Sequence, residues 1–433
     1  MKDPRDYINE GKMSRLQVIV VFLTVLLNAI DGLDVLSISF AAPVVAKEWG
    51  TTRAALGIVM SMELVGMIVG SFFLGGMADK FGRRPTLLSC LAISAAGMAL
   101  ATTSANAIQL SIWRVIVGIG IGGILASLNA VVAEFSSAKH RGMCISLMVI
   151  GYPLGGTFGG MVAANLLGIY SWRSVFYLGA ALTGILIPAL YIFMPESVHW
   201  LTKKQPAGAL AKVNAALVRM NFPRVDALPL AMNDVQEKRS IKQLVTSPLA
   251  GTIILLTTSY FLHMTTYYFI IKWSPKIVAD MGFAPSLAGQ VLVWASMGGA
   301  IGGALFGWLT TKIELRKLTV IIMFFTAVFV GVFGRTAADL SQIKMLAALA
   351  CFFGNAGISG LYSILAVSFP THVRATGTGF VIGTGRGGAV LSPILAGFLF
   401  QAGAGLPTVA IVMGLGSLLG GLALVFLKLR RVD

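Results

Sequence analysis

Twelve apolar runs, each long enough to cross a lipid bilayer as a helix of about 20 residues, follow one another along this chain. Mean hydropathy is +0.84 and only 12% of the residues are charged, against about 25% in an average soluble domain. The sequence therefore predicts an all-α membrane protein with twelve transmembrane helices. The predicted spans are about 17–46, 53–75, 85–103, 107–132, 142–168, 174–194, 247–271, 285–310, 318–338, 342–369, 376–401 and 406–428.

Basic charge is distributed unevenly between the two sides of the predicted membrane. The chain carries 33 Lys and Arg against 17 Asp and Glu, a formal net charge of +16. With the N-terminus in the cytoplasm, 24 of the 33 basic residues lie in cytoplasmic segments and 7 in external ones. This asymmetry follows the positive-inside rule, which places both termini in the cytoplasm. We therefore expect a multi-pass protein of the plasma membrane (a bacterial inner membrane), whose partner is the lipid bilayer and not nucleic acid.

The motifs indicate no enzyme chemistry. Segments 118–123 and 383–388 both match G-x-G-x-x-G, but a dinucleotide site needs a preceding strand, and both segments lie inside apolar spans. Glycine in a membrane span allows close helix packing instead. Cys90, Cys144 and Cys351 show neither metal-ligand nor disulfide spacing. We expect no catalytic residue, no metal and no other cofactor.

A polar stretch at about 201–245 divides the twelve spans into two groups of six. The predicted domains are an N-terminal six-helix bundle at 1–200, a cytoplasmic linker at 201–245 and a C-terminal six-helix bundle at 246–433. Three apolar residues of the linker recur at helical spacing and predict a short helix at the membrane surface: Leu210, Val213 and Leu217.

The two halves echo each other in sequence. The loop after the second span, at 75–84, has a counterpart at 307–316 after the eighth span. Thr311 stands in the second copy where the first copy has Asp79, so we expect the full set of charges in the first half alone. Two parallel six-helix repeats place a substrate site near mid-membrane, between the halves.

These residues resemble the major facilitator superfamily across essentially the whole chain. The pattern Gly-x-x-x-Asp-Lys-x-Gly-Arg-Arg at 75–84 is similar to the signature loop of that superfamily, and segments 114–118, 134–142 and 195–197 are similar to further patterns of it. The resemblance implies two pseudo-symmetric six-helix bundles that work by alternating access. The residues that it implies for conformational gating are Gly75, Asp79, Gly82, Arg83, Arg84, Glu134 and Arg141.

A narrower resemblance rests on two segments. The Asp-Gly-x-Asp of the first span, at 31–34, and the region 370–388 resemble the aromatic acid:proton symporter family. Residues 195–201 also resemble the sugar-porter version of their motif, but helix 1 of that group generally lacks the paired acids. The resemblance therefore favours aromatic acid transport. Glu63 departs from it, because a neutral residue is expected there.

Three acidic residues lie deep in the predicted spans, all in the N-terminal half: Asp31, Asp34 and Glu63. At 1.5 Å rise per residue, Asp31 lies about 20 Å along its helix. A carboxylate at that depth is costly unless it faces a cavity, has a partner or is protonated, so such residues usually mark proton pathways. Because Asp31 and Asp34 are spaced i and i+3, they share one helix face. We interpret all three acids as proton-coupling residues; the alternative for the aspartates is a neutral, hydrogen-bonded acid inside the bundle.

Arg386 is the deep cation of the second half. Its guanidinium matches a carboxylate at two points, so we interpret Arg386 as the clamp for an organic anion. The alternative is an ion pair with Asp31 or Asp34. Arg114, in the fourth span, either contacts the substrate or pairs with Glu63 or Asp34.

Four further residues are candidates for substrate contact: Tyr260, His263, Trp294 and Tyr362. Tyrosine hydroxyls can bond ring substituents while the ring faces pack on an aromatic substrate. We rank Tyr260 above Tyr267 and Tyr268, which approach the outer interface together with Lys272. The alternatives are a buried histidine with its hydrogen bonds satisfied, and ordinary core packing for the tryptophan and for the tyrosine of the tenth span.

We therefore expect a monomeric proton-coupled symporter that imports a small aromatic carboxylate, such as a benzoate or hydroxybenzoate, by alternating access. The alternatives are a proton-coupled porter for another organic anion or a sugar, a drug/proton antiporter, and a membrane receptor that does not transport. The deep Arg386 disfavours cationic drugs, and the short cytoplasmic loops disfavour a receptor.

Overall fold

The computed structural model of this protein describes residues 3–229, 249–369 and 374–427, without the side chains of 374–376. Within these residues every regular element is helical, and twelve helices are long and apolar enough to cross a membrane. The prediction of an all-α protein with twelve transmembrane helices is confirmed. These helices are α2 (Arg15–Trp49), α3 (Arg53–Phe81), α4 (Arg83–Ala101), α5 (Ala107–Phe135), α6 (Arg141–Ile169), α7 (Arg173–Phe193), α10 (Ala250–Asp280), α11 (Pro285–Leu309), α12 (Leu315–Phe333), α13 (Leu340–Ser368), α14 (Arg374–Gln401) and α15 (Leu406–Val425).

The helices form two halves, α2–α7 and α10–α15, which meet along three helix pairs. Helix α3 packs on α14, α2 on α10, and α6 on α11. Glycine makes the closest of these contacts possible, because the Gly57 backbone approaches the carbonyl oxygen of Pro393 where a Cβ atom would collide. We call the side on which α2 begins the terminal side. Helix α12 begins on the same side, and its start lies beside Leu427, the last described residue, so both ends of the described chain lie there. The other side is called the opposite side.

The α2–α6 pair is unusually close near mid-membrane. A Cβ atom on Gly32 would collide with the Tyr152 carbonyl, and one on Gly155 would collide with the backbone of Ala29. Helix α6 passes through a π-helical segment, Gly155–Gly159, at this depth. Such segments are rare and occur frequently at functional sites. The close contact places the Asp-Gly-x-Asp turn of α2 directly against the π-helical region of α6.

Helix α10 extends further than the sequence predicted. The predicted span ended at about 271, but the helix continues through Pro275 to Asp280. Polar residues and a proline lower the hydropathy of this last part, so an apolar-run criterion stops too early. The correction moves Tyr267, Tyr268 and Lys272 from the membrane edge into the interior of a long helix.

Three short helices pack on the terminal side of the N-terminal half: α1 (Pro4–Glu10), α8 (Val198–Lys204) and α9 (Ala209–Arg219). Helix α9 contains the predicted linker helix. Val213 and Leu217 are buried in the terminal-side core of the N-terminal half, whereas Leu210 is 36% exposed. The rest of the predicted linker, at 230–245, lies outside the described residues, as do 370–373 of the motif region and 428–433.

Candidate functional site

A cavity of about 700 Å³ lies between the two halves and extends from mid-membrane toward the terminal side. Polar and aromatic residues of both halves form much of its wall. From the N-terminal half these are Asn28, Asp31, Ser146 and Tyr152; from the C-terminal half they are Tyr260, Tyr267, Tyr268, Ser296, Asn355, Ser359, Tyr362 and Arg386. A largely apolar cavity between two halves, with a few polar groups in its wall, is the kind of site where a small ligand binds.

Contacts between the halves close the opposite side. Arg53 Nη2 lies 3.2 Å from Asp280 Oδ2. Gln401 Oε1 accepts a hydrogen bond from the Ala54 backbone N–H at 3.0 Å. Two turns deeper, Ser61 Oγ donates to the Val390 carbonyl at 2.7 Å. The structure is therefore accessible from the terminal side and closed on the opposite side.

Asp31 is the acid that reaches this cavity. It lines the wall and is only 3% exposed. Neither of its carboxylate oxygens accepts a hydrogen bond from any residue that the structure describes. A buried carboxylate without partners is costly unless it takes up a proton or a ligand. Asp31 therefore has the placement that proton uptake requires.

Asp34 points elsewhere, although the sequence placed it on the same helix face as Asp31. Its Oδ2 lies 3.5 Å from Thr183 Oγ1 of α7. A Cβ atom on Gly179 of the same helix would lie 2.7 Å from Asp34 Oδ1. Residues i and i+3 differ by about 60° around a helix, and here the cavity edge falls between them. Asp34 thus lies behind the wall, between helices of the N-terminal half.

Glu63 belongs to a buried charge cluster with Arg114 and Lys272. Arg114 Nη2 forms an ion pair with Glu63 Oε2, and all three side chains are fully buried. Arg114 also donates to Ser37 Oγ at 3.0 Å and to the Asp34 carbonyl at 2.8 Å. None of the three lines the cavity. Of the two predicted interpretations of Arg114, the geometry matches the pairing with Glu63.

Lys272 of the C-terminal half also belongs to this cluster. This contact was not predicted from the sequence. Its Nζ donates to the Val35 carbonyl of α2 and lies 3.9 Å from Glu63 Oε2. Because α10 runs on to Asp280, Lys272 lies two turns inside the helix and not at its outer end. The cluster therefore links the two halves on the closed side of the cavity.

Arg386 faces the cavity from α14. It donates to Ser71 Oγ of the N-terminal half at 3.4 Å. The ion pairs among the described residues do not include Arg386, so the predicted alternative, a pair with Asp31 or Asp34, is not formed. Close packing of α14 on α10 fixes its position, since a Cβ atom on Gly385 would overlap the Tyr260 ring. Arg386 is thus a cation without an ion-pair partner among the described residues, in the wall of a largely apolar cavity.

Tyrosines form the aromatic part of the wall. The hydroxyl groups of Tyr260 and Tyr362 lie 3.1 Å apart, and their rings meet edge to face with centroids 5.9 Å apart. Tyr267 and Tyr268 also line the cavity, so their expected location at the outer interface is wrong. The longer α10 places both at cavity depth. The ranking of Tyr260 above them as a substrate contact stays a prediction.

Two of the predicted substrate contacts lie away from the cavity. His263 is fully buried within the C-terminal half, where Nδ1 lies 2.8 Å from Ser417 Oγ and Nε2 lies 2.8 Å from the Gly354 carbonyl oxygen. This is the arrangement that the alternative interpretation described. Trp294 is 45% exposed on the outer surface of α11 and does not line the cavity.

The predicted gating residues lie on the terminal side of the N-terminal half, where Asp79, Arg83 and Glu134 form an ion-pair network. Arg83 lies 2.6 Å from Asp79 and 2.8 Å from Glu134. Arg84 donates to the Tyr191 carbonyl at 2.6 Å. Arg141 donates hydrogen bonds to the Ala133 carbonyl and to Asn9 Oδ1. Gly75 lies where a Cβ atom would crowd the Ala126 methyl group.

Glu196 completes this network. Its carboxylate accepts hydrogen bonds from the backbone N–H groups of Arg83 and Ser197, at 2.9 and 2.8 Å. Gly82 lies against the same carboxylate at φ +110°, a conformation that favours glycine. Burial raises the pKa of Glu196, and the backbone donors act against that shift.

Besides Lys272, Asn28 and Asn355 of the cavity wall are not among the residues predicted from the sequence. Asn28 lies three residues before Asp31 in an apolar run, so helical spacing alone places it beside the aspartate. Asn355 interrupts an apolar span between Gly354 and Ala356. In both cases a lone amide in a membrane span was the available signal.

Comparison with known proteins supports the fold and the kind of protein. A family model described as Major Facilitator Superfamily matches residues 24–352 and 256–433. The gallate transporter of Pseudomonas putida is 28% identical over 429 residues, covering 98% of this chain and 94% of that protein. The 4-hydroxybenzoate transporter PcaK of the same organism is 28% identical over 392 residues, covering 90% and 87%. These relatives are transporters and not enzymes, as predicted.

A solved structure agrees at the level of the fold. The crystal structure of a D-xylose–proton symporter has a TM-score of 0.72 to this chain at 16% identity, over 96% of this chain and 99% of that one. At this identity the likeness concerns the fold alone. Together with the family match and the twelve spans, it shows that this chain is a multi-pass membrane protein that belongs to the major facilitator superfamily.

Proposed function

We propose that this protein is a proton-coupled symporter that imports a small aromatic carboxylate by alternating access. One observation carries the proposal. Arg386 of the C-terminal half and Asp31 of the N-terminal half face the same cavity, and each lacks an ionic partner among the described residues. Arg386 can hold a carboxylate, and Asp31 can hold a proton.

The charges of the site support coupling between the anion and a proton. Among the described residues, three acids and three cations lie at the cavity or in the cluster beside it: Asp31, Asp34, Glu63, Arg114, Lys272 and Arg386. Ionised together, these six groups sum to zero. A bound carboxylate would add one negative charge, and a proton on Asp31 would restore neutrality. Neutralising buried charge lowers the cost of closing the cavity around it.

The wall suits an aromatic acid. Tyr260, Tyr362, Tyr267 and Tyr268 offer ring faces and hydroxyl groups, and apolar side chains fill the spaces between them. Relatives named as transporters of gallate and 4-hydroxybenzoate are similar over most of this chain. A benzoate or hydroxybenzoate is therefore the proposed substrate class.

With both termini in the cytoplasm of a bacterial inner membrane, the terminal side faces inward, and the structure corresponds to the inward-facing state. The Asp79–Arg83–Glu134 network lies on that side of the N-terminal half. We assign it, with Gly75, Gly82, Arg84 and Arg141, to the control of closure when the transporter turns outward. We further propose that the protein functions as a monomer, since the residues of the site all come from one chain.

Uptake of labelled 4-hydroxybenzoate into proteoliposomes tests the proposal. An inside-alkaline pH gradient is expected to drive accumulation in the wild type, and a protonophore is expected to abolish it. D-xylose and a lipophilic cation serve as competing substrates in the same vesicles. Uptake of either of these, without uptake of the aromatic acid, would overturn the proposal.

A further inference from the structure

We propose that Asn28 and Asn355 select substrates that carry hydrogen-bond donors on the ring, so that the preferred ligand is a hydroxylated aromatic acid and not benzoate itself. This inference rests on the proposed function and adds which ring substituents the site requires. The inference is drawn from the amide oxygen of each asparagine, which is open to the cavity.

The Asn28 side chain has a fixed orientation. Its Nδ2 donates to the Met148 carbonyl of α6 at 2.7 Å. A backbone carbonyl accepts and never donates, so this contact identifies the NH₂ end of the amide. The other end, Oδ1, accepts no hydrogen bond from the described chain and is not enclosed by protein atoms. Since Asn28 lines the cavity, Oδ1 is an acceptor presented to the ligand.

Asn355 repeats this arrangement in the other half. Its Nδ2 donates to the Gly299 carbonyl of α11 at 2.7 Å. Its Oδ1 likewise has no hydrogen-bond donor within the part of the chain that the structure describes, and Asn355 also lines the cavity. Each asparagine thus donates a hydrogen bond to a neighbouring helix and leaves its Oδ1 acceptor open to the cavity.

Two oriented acceptors favour a ligand with matching donors. When the cavity closes around a ligand, water leaves, and an amide oxygen facing a C–H edge loses its hydrogen bond. Sites that hydrogen-bond a substrate hydroxyl reject the analogue without it far more strongly than apolar pockets reject a change of size. A phenolic hydroxyl is such a donor, whereas a carboxylate is not. The carboxylate therefore belongs at Arg386, and the hydroxyl groups belong at the asparagines.

The test is direct binding to the purified full-length protein by calorimetry. The ligands are benzoate, 4-fluorobenzoate, 4-hydroxybenzoate and 3,4-dihydroxybenzoate. Fluorine is close to a hydroxyl group in size but cannot donate. The wild type is expected to bind the best hydroxylated acid at least tenfold more tightly than benzoate or 4-fluorobenzoate. Equal affinity for all four acids would overturn the inference without any mutation.

Variants identify the residues. Asn28→Leu and Asn355→Leu are each expected to weaken the dihydroxy acid at least tenfold and to change benzoate affinity less than twofold. Asn165→Leu is the matched control, because Asn165 is an exposed asparagine of membrane-spanning α6 outside the cavity; all affinities should be unchanged. An equal loss for every ligand would assign the asparagines to folding and overturn the inference. If the pH dependence of binding shifts and the selectivity does not change, Asn28 Oδ1 accepts a hydrogen bond from protonated Asp31 and not from the ligand. That result would also overturn the inference.

Failure of the proposed function gives a different result. If no aromatic acid binds the wild type, or if D-xylose binds in its place, the proposed function fails. If benzoate binds as tightly as its hydroxylated forms, the function stands and the role of the asparagines is refuted.

Discussion

Replacing Glu63 by glutamine tests the buried charge cluster that joins the two halves. Glu63 is the only carboxylate of the described chain within ion-pair distance of either Arg114 or Lys272. Its removal leaves two cations buried without a counter-charge. Removing Lys272 instead leaves Glu63 still paired with Arg114. The two substitutions are therefore expected to have unequal effects, although both break the same contact between the halves.

The magnitudes follow from what each variant leaves behind. Breaking a buried ion pair from one side costs about 3–5 kcal/mol. Arg114 keeps its hydrogen bonds to Ser37 and to the Asp34 carbonyl, so for Glu63→Gln we expect the lower end, about 3 kcal/mol. For Lys272→Met we expect about 1 kcal/mol or less, because an apolar residue of similar length replaces a buried charge. The double variant should be more stable than Glu63→Gln alone, with a coupling energy of about 1–2 kcal/mol.

The assay is the free energy of unfolding of the purified protein in mixed micelles, measured for the four members of the double-mutant cycle. Lys276→Met is the matched control, because Lys276 lies one turn further along α10 and pairs with the half-buried Asp280. Partly exposed pairs contribute about 0–1 kcal/mol. A cost for Glu63→Gln no larger than that of the control would show that Glu63 is not the counter-charge that stabilises Arg114 and Lys272. If the double variant is stable and still accumulates substrate along a proton gradient, Glu63 is a structural counter-charge and not the proton carrier.

Three further predictions concern the cavity. Arg386→Lys keeps the charge but loses the planar fork, so the affinity for the acid should fall at least tenfold, or about 1.4 kcal/mol, in direct binding, with little change for the corresponding amide; unchanged affinity would move the clamp elsewhere. Asp31→Asn should abolish accumulation driven by a pH gradient while preserving exchange of labelled for unlabelled substrate, whereas loss of exchange as well would assign Asp31 to substrate binding. If one carboxylate and one proton enter together, as proposed, uptake should be electroneutral: a potassium diffusion potential imposed with valinomycin at equal pH should drive no accumulation, and potential-driven uptake would contradict one proton per anion.

The fold was predictable from the sequence because the membrane imposes helical spans, and apolar runs mark them directly. The depth of a residue was also predictable where the run was uninterrupted, as for Asp31 and Arg386. The predicted depth was wrong for Lys272, since Ser274 and Pro275 end the apolar run two turns before the helix ends. Proline in a membrane helix is tolerated where neighbouring helices compensate, so the helix continues where hydropathy stops.

The direction in which each side chain points, toward lipid, protein core or cavity, was much less predictable. Lipid and protein core are both apolar, so a membrane helix carries little contrast between the face that is buried and the face that is not. Trp294 and His263 suited a cavity wall by residue type, yet one faces outward and the other is enclosed by its own half. The two asparagines were identifiable in principle, because an amide in an apolar span needs a partner. Which end of the amide is satisfied depends on contacts that the sequence does not encode locally.

Once Lys272 is placed in the membrane interior, the charges at the cavity and in the cluster beside it divide unevenly between the halves. The N-terminal half holds three acids and one cation, and the C-terminal half holds two cations: Asp31, Asp34, Glu63 and Arg114 against Lys272 and Arg386. The halves therefore attract across their interface, and the two cations of the C-terminal half act at different depths. Lys272 contacts Glu63 on the closed side, while Arg386 faces Asp31 without contact on the open side. Opening the closed side must separate Lys272 from Glu63, so the affinity of Arg386 for an anion and the stability of the cluster bear on the same movement of the halves.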